Sequence, residues 1–124
     1  MIRQQRRTTV SLDITFNWAG TQRAARICDI SLGGCFINSL APISTGEIIS
    51  FRLDLPDGKA LELKGEIVYI YTNLGYGVQF LDLNNAKITM IEQVILAHDG
   101  DPWAIDTNVL SRDAAIVAYA TAVE

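Results

Sequence analysis

One histidine, two cysteines and three prolines are all that this 124-residue sequence holds of those types. With His98 alone and only Cys28 and Cys35 beside it, no three or four ligands stand at metal-site spacing, so no metal centre is expected. The two thiols form no CxxC pair and are too few for a disulfide framework. Both read as small, reduced, apolar side chains in strands. Long apolar runs are missing too: no stretch of about 18 such residues is present to cross a bilayer. The basic start, Met1 to Arg7, lacks the apolar segment and the small-residue cleavage site of a secretion signal, since Ser11 and Asp13 interrupt the next stretch. A soluble, cytoplasmic protein is expected. No GxSxG elbow, Walker loop or HExxH motif occurs, so no catalytic residue is assigned and no enzyme is expected. His98 reads as a helix C-terminal cap rather than a base. Positive charge is also scarce. Ten Lys and Arg against 14 Asp and Glu leave a formal charge of −4, which disfavours a general DNA or RNA binder.

What is present is a folded, mainly β domain. The hydrophobic fraction of 49 % and charged fraction of 19 % exclude a disordered chain. Val10, Leu12, Ile14 and Phe16 alternate with polar residues, the period of a strand with one buried face. Asn17 to Gly20 reads as a turn, and Thr21 to Ile30 as the second strand of a hairpin. After Ser31-Leu32-Gly33-Gly34, a short strand runs from Cys35 to Asn38. Ile49, Phe51, Leu53 and Leu55 alternate again, and Pro56-Asp57-Gly58-Lys59 is a strong hairpin turn. The strand beyond it runs through Leu61, Leu63, Ile67, Tyr69 and Tyr71, with a bulge expected at Gly65. Asn73-Leu74-Gly75 turns the chain into a last strand, Tyr76 to Leu81. Ile88, Ile91, Val94 and Ile95 then fall at helical spacing, capped by Asn84 or Asn85 and ending near His98. A further short helix is expected around Val109, Ile116 and Val123. The fold class is a six-stranded antiparallel β-barrel with a flanking helix. The division expected is a flexible basic arm over 1–8, barrel plus helix over 9–98, and a helical C-terminal extension over 99–124.

Two features carry chemistry. Arg3-Gln4-Gln5-Arg6-Arg7 concentrates cations at the start of an acidic chain. Guanidinium forks suit phosphate oxygens and the O6/N7 edge of guanine, and their planes stack on bases. The second is Asp29-Ile30-Ser31-Leu32-Gly33-Gly34. Residues two apart share a strand face, so Asp29 and Ser31 would present a carboxylate beside a hydroxyl. A carboxylate accepts from the adjacent N1–H and N2–H₂ donors of guanine. Glycine after the strand lets a ligand approach the backbone.

In this order and spacing the two features resemble the RxxxR and [D/N]xSxxG motifs of the PilZ domain, a bacterial receptor for cyclic di-GMP. Tyr76-Gly77-Val78-Gln79-Phe80 is similar to that family's Gly-Val-x-Phe strand. The resemblance spans about residues 3 to 97. It implies a six-stranded barrel and cyclic di-GMP as ligand, with no other cofactor. It implies that Arg3 and Arg7 contact phosphates and guanines; Arg6, at an x position to which the motif gives no role, is expected as an extra phosphate contact. Asp29 and Ser31 would bind a guanine edge and hold the arginines in place, and Gly34, with Gly33 beside it, would leave room for the ligand. The output implied is a surface changed by ordering of the arm and read by a separate effector protein. A monomer or weak dimer without membrane insertion is expected. The alternative is a PilZ-like adaptor that binds proteins and no nucleotide. A small-barrel nucleic-acid binder is disfavoured by the net acidity.

Overall fold

The alternating segments become six strands. The computed structural model describes residues 6–55 and 57–104. In it β1 (Thr8–Trp18), β2 (Thr21–Ile30), β3 (Gly34–Asn38), β4 (Ile48–Asp54), β5 (Ala60–Tyr71) and β6 (Gly75–Leu81) precede one helix, α1 (Asn85–Ala97). Every strand pair is antiparallel. The order β1-β2-β3-β6-β5-β4 closes into a barrel.

Successive side chains of a strand point to opposite faces. Ile49, Phe51 and Leu53 of β4 therefore enter the lumen together, as do Leu61, Leu63 and Ile67 of β5. Phe16, Ile27, Ile30, Ile37 and Val78 complete the core from the other strands. The seam is short: β1 meets β4 only at Phe16↔Phe51 and Asn17↔Ser50. α1 adds Ile91, Val94 and Ile95 to the same core, so the helix face read from the sequence does close the barrel's interior. Burial of such side chains is worth about 25 cal/mol per Å². Asn84 is the N-cap, its side chain accepting from the Lys87 amide at 2.8 Å. The helix ends at His98, whose Nδ1 lies 2.9 Å from the Val94 carbonyl. No helix among the described residues is long and apolar enough to cross a membrane.

Two local expectations change. The first turn is tighter than Asn17 to Gly20. Trp18 already pairs with Thr21, and Ala19 (φ 50°) and Gly20 (φ 76°) alone make the bend, with the positive φ angles of a type I′ hairpin. Gly65 is not a bulge: it stays in register with Ile49 and Phe80. A Cβ there would lie 2.1 Å from Val78 Cγ1, so glycine makes room inside the lumen. The bulge lies three residues later, at Val68, between the pairs Ile67↔Val78 and Tyr69↔Gly77. One helix is present among the described residues; the second, placed around Val109 to Val123, lies outside them, as does most of the 99–124 extension. Cys28 and Cys35, on β2 and β3, form no disulfide.

Candidate ligand-binding site

Arg7 and Asp29, 22 residues apart in sequence, meet on the outside of the barrel. The pairing of β1 with β2 sets Thr8 opposite Ile30 and Thr9 opposite Asp29. Arg7, one residue ahead of β1, is thereby carried to the carboxylate, and its Nη1 donates to Asp29 Oδ1 at 3.0 Å. The two side chains are 27 % and 29 % exposed. This is a charge-assisted bond open to solvent on one side. Among the described residues it occupies one of the guanidinium's five donors and one of the carboxylate's two oxygens.

Aromatic rings extend the site across three more strands. Asp29 pairs with Phe36, Phe36 with Gly77, and Gly77 with Tyr69. Cys35 and Ile37, on either side of Phe36, belong to the core, so Phe36 faces outward. The bulge at Val68 brings the tyrosines into this row. Along β5 the lumen-facing positions are Leu61, Leu63, Gly65 and Ile67; one extra residue inverts the alternation, and Tyr69 and Tyr71 emerge on the outer face. Gly77 supplies the space, because a Cβ there would lie 2.1 Å from Cε1 and Cζ of Tyr69. The phenol ring thus lies over β6 and reaches toward the arm. The Arg7 guanidinium carbon is 6.0 Å from its centroid, at the limit of a cation–π contact. Phe36 stands 6.3 Å from Tyr69 and 5.8 Å from Tyr71, and the two tyrosines are 5.3 Å apart. Phe36 is only 8 % exposed although it points away from the core.

The remaining expected site residues fall unevenly around this pair. Ser31 is wholly buried. Its amide donates to the Gly34 carbonyl at 2.8 Å and its hydroxyl to the same oxygen at 3.4 Å. Ser31 therefore closes the β2–β3 turn, beyond the strand on which Asp29 sits, and does not share an open face with it. Gly33 has open space where a Cβ would stand, and its carbonyl accepts from the Phe80 amide at 2.9 Å. Gly34, buried, starts β3 opposite Gln79. Arg6 is exposed, and its amide donates to the Ala104 carbonyl at 2.7 Å. Arg3 lies outside the described residues. Phe36, Tyr69 and Tyr71 are not among the site residues that the motifs point to. The available clue is Gly77, a strand glycine with no turn to explain it.

Known structures agree with this architecture. The PilZ domain of YcgR from Escherichia coli, solved with c-di-GMP, is similar with a TM-score of 0.68 at 13 % identity, over 80 % of this chain and 92 % of that one. The PilZ domain of CeSA from a cellulose-synthesizing bacterium gives 0.62 at 18 % identity, over 76 % of this chain and 98 % of that one. The Bacillus subtilis inhibitor of motility MotI/DgrA gives 0.66 at 16 % identity, over 80 % of this chain and 52 % of that one. Among curated protein sequences none matches the chain significantly. A family model for the PilZ domain matches residues 1–97, and with six strands closed as a barrel and one helix after them, the chain belongs to the PilZ domain family.

Proposed function

We propose that this protein is a receptor for cyclic di-GMP that binds at the outer face around Arg7 and Asp29. The observation that carries the reading is the half-exposed Arg7–Asp29 pair beside an aromatic platform. Both residues stand at motif positions of a family that includes structures solved with this ligand. The ligand offers two phosphate charges and two guanines. Arg7 retains donors for phosphate oxygens and a plane for stacking on a base. Asp29 retains an oxygen for the paired donors of a guanine edge. Tyr69 and Tyr71 add apolar surface of the kind on which bases stack.

The remaining motif residues have supporting roles in this reading. Arg3 and Arg6 extend the cationic arm toward the phosphates. That local charge offsets the repulsion between a dianionic ligand and a protein of net charge −4. Ser31 and Gly34 fix the β2–β3 turn through the bonds to the Gly34 carbonyl. Gly33 keeps that turn free of a side chain. Ordering of the arm around ligand is the change that a downstream effector protein reads. No bond of the ligand is made or broken.

Calorimetric titration with cyclic di-GMP, beside GTP and cyclic di-AMP, tests the proposal. Selective binding at micromolar concentration or tighter is expected. Absence of heat together with absence of a thermal shift at millimolar ligand overturns it and leaves the adaptor role.

A further inference from the structure

The turn that follows α1 ends the helix in an unusual way. The Asp99 amide donates to the Leu96 carbonyl at 3.1 Å and the Gly100 amide to the Ile95 carbonyl at 3.0 Å. These are the two bonds of a Schellman motif, in which the left-handed position usually belongs to glycine. Here Asp99 takes that position, with φ 60°. Gly100, the next residue, has no positive φ angle, so its backbone conformation does not call for glycine. Close contact does. A Cβ on Gly100 would lie 2.1 Å from Thr8 Oγ1, 2.7 Å from Thr8 Cγ2 and 2.8 Å from Ile95 Cγ2. Thr8 is the first residue of β1 and the neighbour of Arg7. Four residues further on, the Ala104 carbonyl accepts from the Arg6 amide at 2.7 Å. The turn itself is braced: the Trp103 amide donates to Asp101 Oδ1 at 3.0 Å, and the indole Nε1 to Glu92 Oε2 on α1 at 2.6 Å.

The same short segment thus meets the chain on both sides of Arg7, at the Arg6 backbone and at the Thr8 side chain. We infer that residues 99–104 are a clamp that positions the base of the arginine arm, with Gly100 as the positioning residue that lets the clamp close on Thr8. This rests on the proposed ligand reading and deepens it. The Arg7 side chain starts from a fixed point within reach of Asp29 and Tyr69, and less ordering remains for ligand binding to complete. The clamp also joins the ligand site to α1 through Trp103 and Glu92, so that movement of the arm on binding is felt at the helix.

Gly100→Ala tests this directly, with Thr8→Ala/Gly100→Ala as its rescue, since the second change removes both Thr8 atoms that the new methyl meets and leaves only Ile95 Cγ2, at 2.8 Å, for it to displace. Two readouts are needed: titration with cyclic di-GMP, and amide hydrogen exchange at Arg6 without ligand. The single variant is expected to lose affinity about tenfold and to exchange faster at Arg6, and the double variant to recover most of both. Wild-type affinity in Gly100→Ala, or no recovery in the double variant, overturns the clamp. If the unmodified protein binds no cyclic di-GMP, the functional reading fails. Exchange at Arg6 then decides the clamp alone: slow in the wild type, fast in Gly100→Ala and slow again in the double variant supports it, and any other order overturns it.

Discussion

An arginine, an aromatic ring and a carboxylate meet at each end of the β1–β2 hairpin, and the two sets are wired differently. At the tip, the Arg23 guanidinium carbon sits 5.4 Å from the Trp18 ring. The carboxylate beside them, Glu47 from the β3–β4 loop, is held by neutral donors: the Ser44 amide at 2.5 Å on one oxygen and the Trp18 indole at 2.9 Å on the other. Both oxygens are taken, and the arginine only stacks. At the base, Arg7 bonds one oxygen of Asp29 itself and keeps most of its donors, with Tyr69 to the side. Similar residue types give a latch in one place and, as proposed, an open receptor in the other. What separates them is whether fixed neutral donors or a cation on the arm hold the carboxylate.

Removing each arginine in turn separates the two ends most sharply. Arg7→Ala should reduce cyclic di-GMP affinity at least a hundredfold, because several charge-assisted bonds of about 1.5–3 kcal/mol each are lost. Its melting temperature should stay within a few degrees of wild type, since an ion pair open to solvent on one side contributes about 1 kcal/mol or less. Arg23→Ala should leave affinity unchanged. Calorimetry and thermal melting on both variants decide this. Retained affinity with a large loss of stability in Arg7→Ala would make the base a second latch.

This contrast is only partly legible in the sequence. The six strands and the helix are, because alternation with one polar parity fixes both the strand and its buried face. Ile49, Phe51 and Leu53 against Ser50, Arg52 and Asp54 leave no choice. The Arg7–Asp29 pairing is legible from two motifs at a fitting distance. The aromatic platform is not. Between Glu66 and Tyr71 every residue is apolar on both parities, Ile67-Val68-Tyr69-Ile70-Tyr71, so nothing local marks where the alternation inverts. Tyr69 and Tyr71 read as a continuation of the lumen stripe. Gly65 suggests a bulge because strand glycines often mark one, but its cause is the crowding of Val78 inside the lumen. A two-residue period sets Ser31 beside Asp29 only while the strand continues, and β2 ends at Ile30.

A smaller effect sharpens the role of that platform. Tyr69→Leu keeps an apolar side chain over Gly77 but removes the aromatic face toward Arg7. Stacking on one base is worth about 1–3 kcal/mol, so affinity should fall about tenfold, well short of the loss from Arg7→Ala. A substitution at Trp18, the ring at the other end of the hairpin, should leave the titration curve unmoved. Equal affinity for Tyr69→Leu and wild type would confine the site to the charged pair.

The smallest change belongs to the latch, and it is one of acidity. The Ser44 amide, and after it the Trp18 indole, hold the Glu47 carboxyl below the usual carboxylate range. A group whose folded-state value is depressed stabilises the fold above its unfolded value and loses that contribution as pH falls through the folded one. Glu47→Gln cannot accept from both donors, since the amide nitrogen replaces one oxygen, so the variant should melt slightly below wild type at neutral pH. The gap should narrow as the solution is acidified through and below the carboxylate range, where Glu47 itself becomes protonated. Ligand affinity at neutral pH should be the same in both proteins. A gap that persists undiminished in acid would show that the latch depends on the shape of the side chain and not on its charge. A change in cyclic di-GMP affinity would mean that the two ends of the hairpin are coupled along β1, and the division between latch and receptor would have to be withdrawn.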